Sequence, residues 1–577
     1  MSCHTSFFIT EKLQMDKFCD ITSRNELADF LKVPRSKLTH ILYVKKVDSC
    51  YTSFEIPKKN GETRKINAPS DELKSIQRKL AAALVKYQID IRREQNIRSN
   101  ISHGFEKDKS ILTNAKIHRN KRFLVNIDLE NFFDSFHFGR VKGFFENNKD
   151  FALSREVAVV IAQLTCYKGT LPQGAPTSPV ITNLICNILD NRLLKISKKY
   201  KLDYTRYADD LTFSTNRCDF LDYKKQFMEE LEKEINRAGF RINDKKTRIL
   251  FRDSQQIVTG LVVNKKLNVA REYYKKTKAM AHTLYTEGKF TIDREEGAIE
   301  QLEGRFSFIN QLDKYNNKLD GNLHEQGNLN GREREYKRFL FYKYFFGNEK
   351  PLIVTEGKTD IRYIKSALKN LHKEYPALIC KKGDEFDYKV DFLKRSKRLE
   401  YFLGIRTDGA DTLQNIYKYF IDNNIRERKR FPNYFEYFIK MGSKPNCPVM
   451  LAFDNELESK KPLKKFIQEF KISSEKIGKL KEHLFLRLED NKNIYLFTNP
   501  VVSGKGECEI EDIFSQEVLC HEIDGKRFCA KDHFDPNEFY GKEIFSQYIA
   551  LHYNQIDFSC FKPMLDAINT IVMENKK

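Results

Sequence analysis

The sequence predicts an α+β region followed by an α/β region, and three observations carry the division. An apolar run at residues 123–127 ends in Asp128, and β-prone runs at 205–206 and 211–213 bracket Asp209-Asp210. Past residue 350 the pattern changes. Short buried-strand runs at 351–355 and 448–453 end in Glu356 and Asp454, and the first leads into a helix spaced by Ile361, Ile364, Leu368 and Leu371. The net charge of +21 divides the same way, with 63 Lys and Arg against 45 Asp and Glu in residues 1–350, and 38 against 35 in residues 351–577. Basic surface on that scale fits a polyanion partner for the first part, because neutralised phosphates release counterions.

In chain order, residues 10–50 read as helical, most clearly at 24–31. Residues 51–66 alternate and turn at Asn60-Gly61, a hairpin signal, with Arg64 and Lys65 on the return strand, placed to grip a triphosphate or to face water. Ser70-Asp71-Glu72 opens a helix whose Leu73, Ile76, Leu80, Leu84 and Tyr87 recur at spacings of three and four, a core face. His103 and His118 read as satisfied structural histidines. Residues 170–179, Thr-Leu-Pro-Gln-Gly-Ala-Pro-Thr-Ser-Pro, form a rigid loop opening onto an apolar helix at 180–194, with Gly174 letting a base pair or sugar approach the backbone. Residues 271–309 are basic and helical. Residues 312–331, rich in Asn, Gly and charge, read as a flexible linker, and a helix closes the region at 332–346.

The acids carry the chemistry. A turn at Asp209-Asp210 pushes both carboxylates to its tip, where they can hold divalent metal without burying themselves. Nucleotidyl transfer takes two metals about 3.5–4 Å apart, and so acids from more than one strand. Asp128 supplies the third.

Asp128 with Phe133 five residues on, the Leu171-Pro172-Gln173-Gly174-x-Pro176-x-Ser178-Pro179 loop, Tyr207-Ala208-Asp209-Asp210 and Asn243-Asp244-Lys245-Lys246-Thr247 stand in an order that resembles a reverse transcriptase. Asn114-Ala115-x-x-His118 and Val258-Thr259-Gly260 resemble the signatures of bacterial retron reverse transcriptases. The resemblance implies a right hand, with fingers and palm at 1–265 and a thumb and linker at 266–346. It implies that Asp128, Asp209 and Asp210 hold Mg²⁺, with Mn²⁺ as a substitute, and that Phe133 crowds the 2′-OH of the incoming dNTP. Gln173 and Gly174 would line the nascent pair, and Arg64, Lys65 and Lys246 would meet the phosphates. Asn114, His118, Val258, Thr259 and Gly260 would recognise the RNA. Retron enzymes make a branched, RNA-linked single-stranded DNA (msDNA) from a structured noncoding RNA, primed at a guanosine 2′-OH. RNA, msDNA and dNTPs are the partners this implies.

Residues 347–577, with an insertion near 382–445, resemble a TOPRIM domain in Glu356 and Asp454-x-Glu456, Glu456 standing where Asp is usual. That resemblance implies a Mg²⁺-dependent nuclease acting on RNA or DNA through Glu356, Asp454 and Glu456. Glu511, beside Glu509 and Asp512, would complete the metal set, and Lys542 would face the scissile phosphate. Asp408-Gly409-Ala410-Asp411 lacks a leading strand, and Ser503-Gly504-Lys505-Gly506 lacks the full phosphate-loop pattern and reads as a mobile loop. The fused architecture implies a role in antiphage defence, with the DNA product restraining a toxic domain. Two other readings are a noncatalytic docking module in residues 351–577, which Glu456 leaves open, and an intron-type maturase, which the retron signatures disfavour.

No basic segment followed by a long apolar one opens the chain, no run approaches the ~18–20 apolar residues of a membrane span, and the twelve cysteines form no Cys-x-x-Cys pair. The expectation is a cytoplasmic protein with reduced thiols and no membrane partner. A homo-oligomer is compatible with the sequence.

Overall fold

The computed structural model describes residues 18–575 except 58–60, 62, 97–99, 322–327, 408–410, 459–460, 503 and 532. The chain divides into two compact units, Met1–Ala270 and Arg271–Lys577. Of the charge, 48 Lys and Arg against 32 Asp and Glu fall in the first.

In the first unit β1 (Tyr51–Pro57) and β2 (Thr63–Pro69) form the expected hairpin, with Phe54 opposite Ile66. Asn60 of its turn lies outside the described residues. Helix α1 (Asp71–Glu94) buries Leu73, Ile76, Leu80, Leu84 and Tyr87 as the spacing predicts. Each buried aliphatic side chain stabilises by about 1.5–3 kcal/mol. Four strands, β3 (Phe123–Asp128), β4 (Asp203–Tyr207), β5 (Asp210–Thr215) and β6 (Arg248–Phe251), make an antiparallel sheet in the order β4-β5-β3-β6. Strand alternation sends Leu211 and Phe213 into a core shared with Phe220, Phe227 and Leu231, and turns Thr212 and Ser214 to the opposite face. Helices α2 (Ile111–Ile117) and α3 (Ser178–Lys199) follow from Ser110 as capping residue and from the apolar run. Three short strands, β7 (Ile257–Val258), β8 (Leu261–Val262) and β9 (Asn268–Val269), close the unit.

The second unit corrects two expectations. The first part of the stretch expected to be a linker is helix: Ile299–Leu319 buries Phe306, Ile309 and Leu312, and Gly331–Phe341 follows. Composition hid this because Asp313 and Asn316 are buried as well. Nor does the core stop at residue 346. Tyr336, Phe339, Phe341 and Phe346 share one cluster with Phe402, Tyr419 and Phe438, so the helices expected of a thumb pack with the chain that follows them.

After a small hairpin, β10 (Thr291–Ile292) and β11 (Glu295–Glu296), the central sheet runs β15-β12-β16-β18-β17. These strands are β12 (Leu352–Val354), β15 (Asp391–Phe392), β16 (Val449–Phe453), β17 (Phe485–Arg487) and β18 (Ile494–Thr498); β13 (Ile379–Lys382) and β14 (Glu385–Tyr388) form a separate hairpin. The first four strands of the sheet are parallel and β17 is antiparallel. Strand β15, an edge of this sheet, lies within the stretch 382–445 expected to be an insertion. Leu352 and Val449 face the aromatic cluster, while Ile353 and Met450 pack on helix α4 (Lys358–Asn370) and the C-terminal helices. Among the described residues no helix is long and apolar enough to cross a membrane, and eleven cysteines are free thiols.

Candidate functional site

The antiparallel register sets Asp128 directly opposite Asp210, and the Asp209 carbonyl accepts from the Leu129 N–H at 3.1 Å. Three carboxylates thus come from two neighbouring strands and the turn that joins β4 to β5. Ala208 in that turn has φ +56°, a left-handed conformation uncommon for a residue with a side chain. The segment beside it fixes the turn from behind. His103 N–H donates to the Arg206 carbonyl at 2.8 Å, and a Cβ on Gly104 would lie 2.5 Å from the Ala208 nitrogen. Beneath, fully buried Arg206 grips Asp190 of α3 through two bonds of 2.8 Å and reaches the Ala208 carbonyl at 3.2 Å. Tyr204 donates to the same Asp190 at 2.9 Å.

This brace was missed by sequence reasoning. Its signal was there: one acid in the apolar helix and one arginine inside a strand.

Electrostatics bear on the expectation that the acids escape burial. Desolvation first, and then Asp209 and Asp128, push the Asp210 carboxyl up to about 7. Desolvation also raises Asp209, opposed by its own backbone N–H and, across space, by Lys246 and Arg64. Lys246 donates to both Asp128 oxygens at 3.0 and 3.1 Å, and Asn243 donates to one at 3.2 Å. Crowded hard oxygen donors suit a Mg²⁺-type cation. Among the described residues no three His, Cys, Asp or Glu side chains converge closely enough to hold one in this conformation.

Asp128, Asp210, Lys246, Thr259 and Gly260 line one cleft of about 450 Å³. Thr259 and Gly260, at φ +45° and +82°, are the two central residues of the β7–β8 turn, as a two-residue hairpin requires. Val258 is buried. Asn114 and His118 are buried too, so a direct contact with RNA is corrected: His118 bonds Ser214 and Thr205 at 2.7 Å each, tying β5 to β4. Burial drives its ring down to about 3 and that of His103 to about 4, as expected of structural histidines. Gly174, at φ +130°, is closely approached by the Asn67 carbonyl, 2.6 Å from where a Cβ would stand, and the Gln173 carbonyl accepts from Asn67 N–H at 2.8 Å. The loop therefore locks onto β2, whose Arg64 and Lys65 are exposed. Phe133 is half-buried against Phe132.

In the second unit, parallel pairing of β12 with β16 brings Glu356 and Asp454 together, and the Asp454 N–H donates to Glu356 at 3.2 Å. Desolvation, followed by Asp360 and Glu456, pushes Glu356 up to about 8. Asp454 is raised well above the carboxylate range by burial and then by Glu356, Asp360 and Glu511. Asp360, absent from the expected set, caps the helix by accepting from Gly357 N–H. Glu456 and Glu511 share a cleft of about 540 Å³ with Glu509 and Asp512. One oxygen of buried Glu511 has no partner, an opening for a cation. Lys461 holds Glu456 at 2.9 Å, and Lys542 holds Glu509 and Glu511 at 2.9 and 3.1 Å, so in this conformation Lys542 neutralises acids. Lys505 pairs with Asp512 in the same way, while Ser503 and residues 408–410 lie outside the described residues.

The antiparallel sheet that holds the three acids lies in a reverse-transcriptase-like fold, as comparison with known proteins shows. A family model described as reverse transcriptase (RNA-dependent DNA polymerase) matches residues 56–269. The Retron Ec86 reverse transcriptase of Escherichia coli is 36% identical over 293 residues, covering 50% of this chain and 85% of that one. The Retron Mx162 reverse transcriptase of Myxococcus xanthus is 32% identical over 333 residues, covering 52% and 66%. A solved telomerase from Candida Tropicalis aligns at 12% identity and a TM-score of 0.30 over 50% of this chain and 60% of that one, too loose a likeness to define a fold. The chain belongs to the retron reverse transcriptase family and is an RNA-directed DNA polymerase.

Proposed function

We propose that the chain copies a structured noncoding RNA into msDNA from a guanosine 2′-OH and carries a TOPRIM-type nuclease in Arg271–Lys577 that serves antiphage defence. The first half of this reading is carried by the register that opposes Asp128 to Asp210 within reach of the Thr259-Gly260 turn. Asp128, Asp209 and Asp210 would hold divalent metal, which when bound activates the attacking hydroxyl and steadies the triphosphate. Lys246 neutralises the cleft and stands ready to exchange Asp128 for a phosphate, and Arg64 and Lys65 extend that basic wall. The nuclease half rests on Glu356 and Asp454 meeting at adjacent parallel strand ends, the crevice where α/β sheets place ligands. Their mutual repulsion in a desolvated site is what a bound cation would relieve.

The test is to purify the chain with its nucleic acid and sequence it. A specific RNA joined through a 2′ bond to DNA supports the polymerase reading, and its absence from active preparations overturns it. Mg²⁺-dependent cleavage of cellular RNA or DNA that Glu356→Gln abolishes supports the nuclease. The docking-module reading draws on Lys461 and Lys542 occupying the acids, and unchanged cleavage by that variant would favour it.

A further inference from the structure

The basic charge of the second unit is concentrated in one strip. Residues 358–398 carry 12 Lys and Arg against 6 Asp and Glu, a surplus of six, while the whole of residues 271–577 has a surplus of five. The remainder is therefore slightly acidic. The strip begins at α4, where Lys358, Arg362, Lys365 and Lys369 recur at i, i+4, i+7 and i+11, one helix face about 16 Å long. It continues through the β13–β14 hairpin to β15, the edge strand beside β12, and returns to the carboxylates: Arg395 donates to the Thr355 carbonyl, next to Glu356.

Two halves of this face differ. Lys358 and Arg362 are held by Glu543 at 3.0 and 2.7 Å. Among the described residues no ion pair reaches Lys365, Lys369 or Lys394, although Asp387 binds the neighbouring Lys382 and Lys389. Two of these three ammonium groups instead lie over half-buried rings. Lys365 stands 5.2 Å from the Tyr388 centroid and 5.0 Å from that of Phe392, and Lys369 stands 5.8 Å from Phe386 and 5.1 Å from Tyr553. Cations held by no ion pair, with Asp391 acting on Lys365 only through space, and interleaved with aromatic rings beside the edge strand, are the components that recognise unpaired nucleotides: phosphates take the cations and bases stack on the rings. A duplex offers no free base faces to such a platform.

We infer that this edge is a track for single-stranded nucleic acid, with phosphates on Lys365, Lys369 and Lys394 and bases on Tyr388, Phe392 and Phe386, leading the strand to Glu356 and Asp454. Only that last step rests on the nuclease reading. The test uses the full chain carrying Glu356→Gln, irradiated with a single-stranded oligonucleotide bearing 4-thiouridine, with adducts mapped by peptide mass spectrometry. Adducts are expected in residues 379–392. Lys365→Glu with Lys369→Glu should cut their yield at least about fivefold, and should flatten the slope of log affinity against log salt by about 0.7 for each phosphate the variant no longer neutralises. Adducts confined to residues 1–270, an unchanged yield in the double variant, or equal yield from a duplex would each overturn the track. An acidic protein as the true occupant would also leave the hairpin without adducts. Cleavage by the wild-type chain without hairpin adducts refutes the track alone, and hairpin adducts without cleavage refute the nuclease alone.

Discussion

The two carboxylate sites are built on opposite plans. In the first unit the acids sit at an antiparallel hairpin and its neighbour, open to a cleft, and the buried ion pair Arg206–Asp190 lies behind them rather than among them. In the second, half-buried Glu356 and Asp454 stand at parallel strand ends beside buried Glu456 and Glu511, and the compensating cations, Lys461 and Lys542, come from outside. A polymerase cleft must admit a template, a primer and a nucleotide, so its rigidity has to come from beneath. A site at parallel strand ends can stay narrow, and its acids Glu356 and Asp454 carry a desolvation stress like that on Asp210 in the first unit. The two plans predict sites that fail in different ways.

The largest expected effect breaks one site and spares the other. Asp209→Asn or Asp210→Asn should lower DNA synthesis by about 10³-fold or more while RNA binding persists, because the amide removes metal charge and keeps shape. Glu356→Ala or Asp454→Ala should leave synthesis intact and abolish cleavage and phage protection, each single change costing nearly as much as the double. Primer extension and Mg²⁺-dependent cleavage on one purified series measure both. Extension at the wild-type rate by either aspartate variant would refute the palm assignment.

Next comes the brace. Asp190→Ala leaves the Arg206 guanidinium buried without its partner and should destabilise the first unit by about 3–5 kcal/mol, read as an earlier denaturant transition. Replacing both, Asp190→Leu with Arg206→Met, should recover much of that stability but not the polymerase rate, since the Ala208 carbonyl loses its donor. A double variant that polymerises at the wild-type rate would show that the ion pair is not what holds the turn.

The acids were legible because their chemistry needs fixed residue types at fixed order, and α1 was legible because one apolar face repeats without interruption. What supports them was not. Arg206 and Asp190 come from different elements and are joined only by the packing of α3 under β4. The last turns of the helix Ile299–Leu319 were hidden for a related reason, since burying Asp313 and Asn316 makes a core helix look like a linker. Gly174 was legible as a close approach, but the sequence could not say that the visitor is Asn67 of its own chain.

A smaller effect sharpens the cleft. Phe133→Ala should admit ribonucleotides about tenfold better by opening space beside the sugar, a change of about 1.4 kcal/mol in discrimination. Competitive incorporation of matched dNTP and rNTP measures it. Unchanged selectivity would reduce Phe133 to a ring packed on Phe132.

The most gradual effect tests the electrostatic stress in each unit through pH. With its carboxyl raised to about 8, folded Glu356 keeps a proton that the unfolded chain releases near 4.5. Folding therefore takes up a proton between those values, and stability falls as pH rises across them. Glu356→Gln removes the penalty, so in chelating buffer its advantage over wild type should be absent near pH 4, grow to about 1–3 kcal/mol, and level off above pH 8. His118 runs the other way. Its ring, lowered to about 3, stays neutral when folded while the unfolded ring protonates near 6.5, so wild type loses stability as pH falls below 6.5. His118→Gln should flatten that loss while costing a bond at every pH. Because Asp210, at about 7, opposes His118 within the first unit, the comparison has to be made as variant minus wild type. Denaturant melts from pH 4 to pH 9 give both differences, and slopes of the same sign for the two variants would show that the sites do not carry their stress in the way their burial implies.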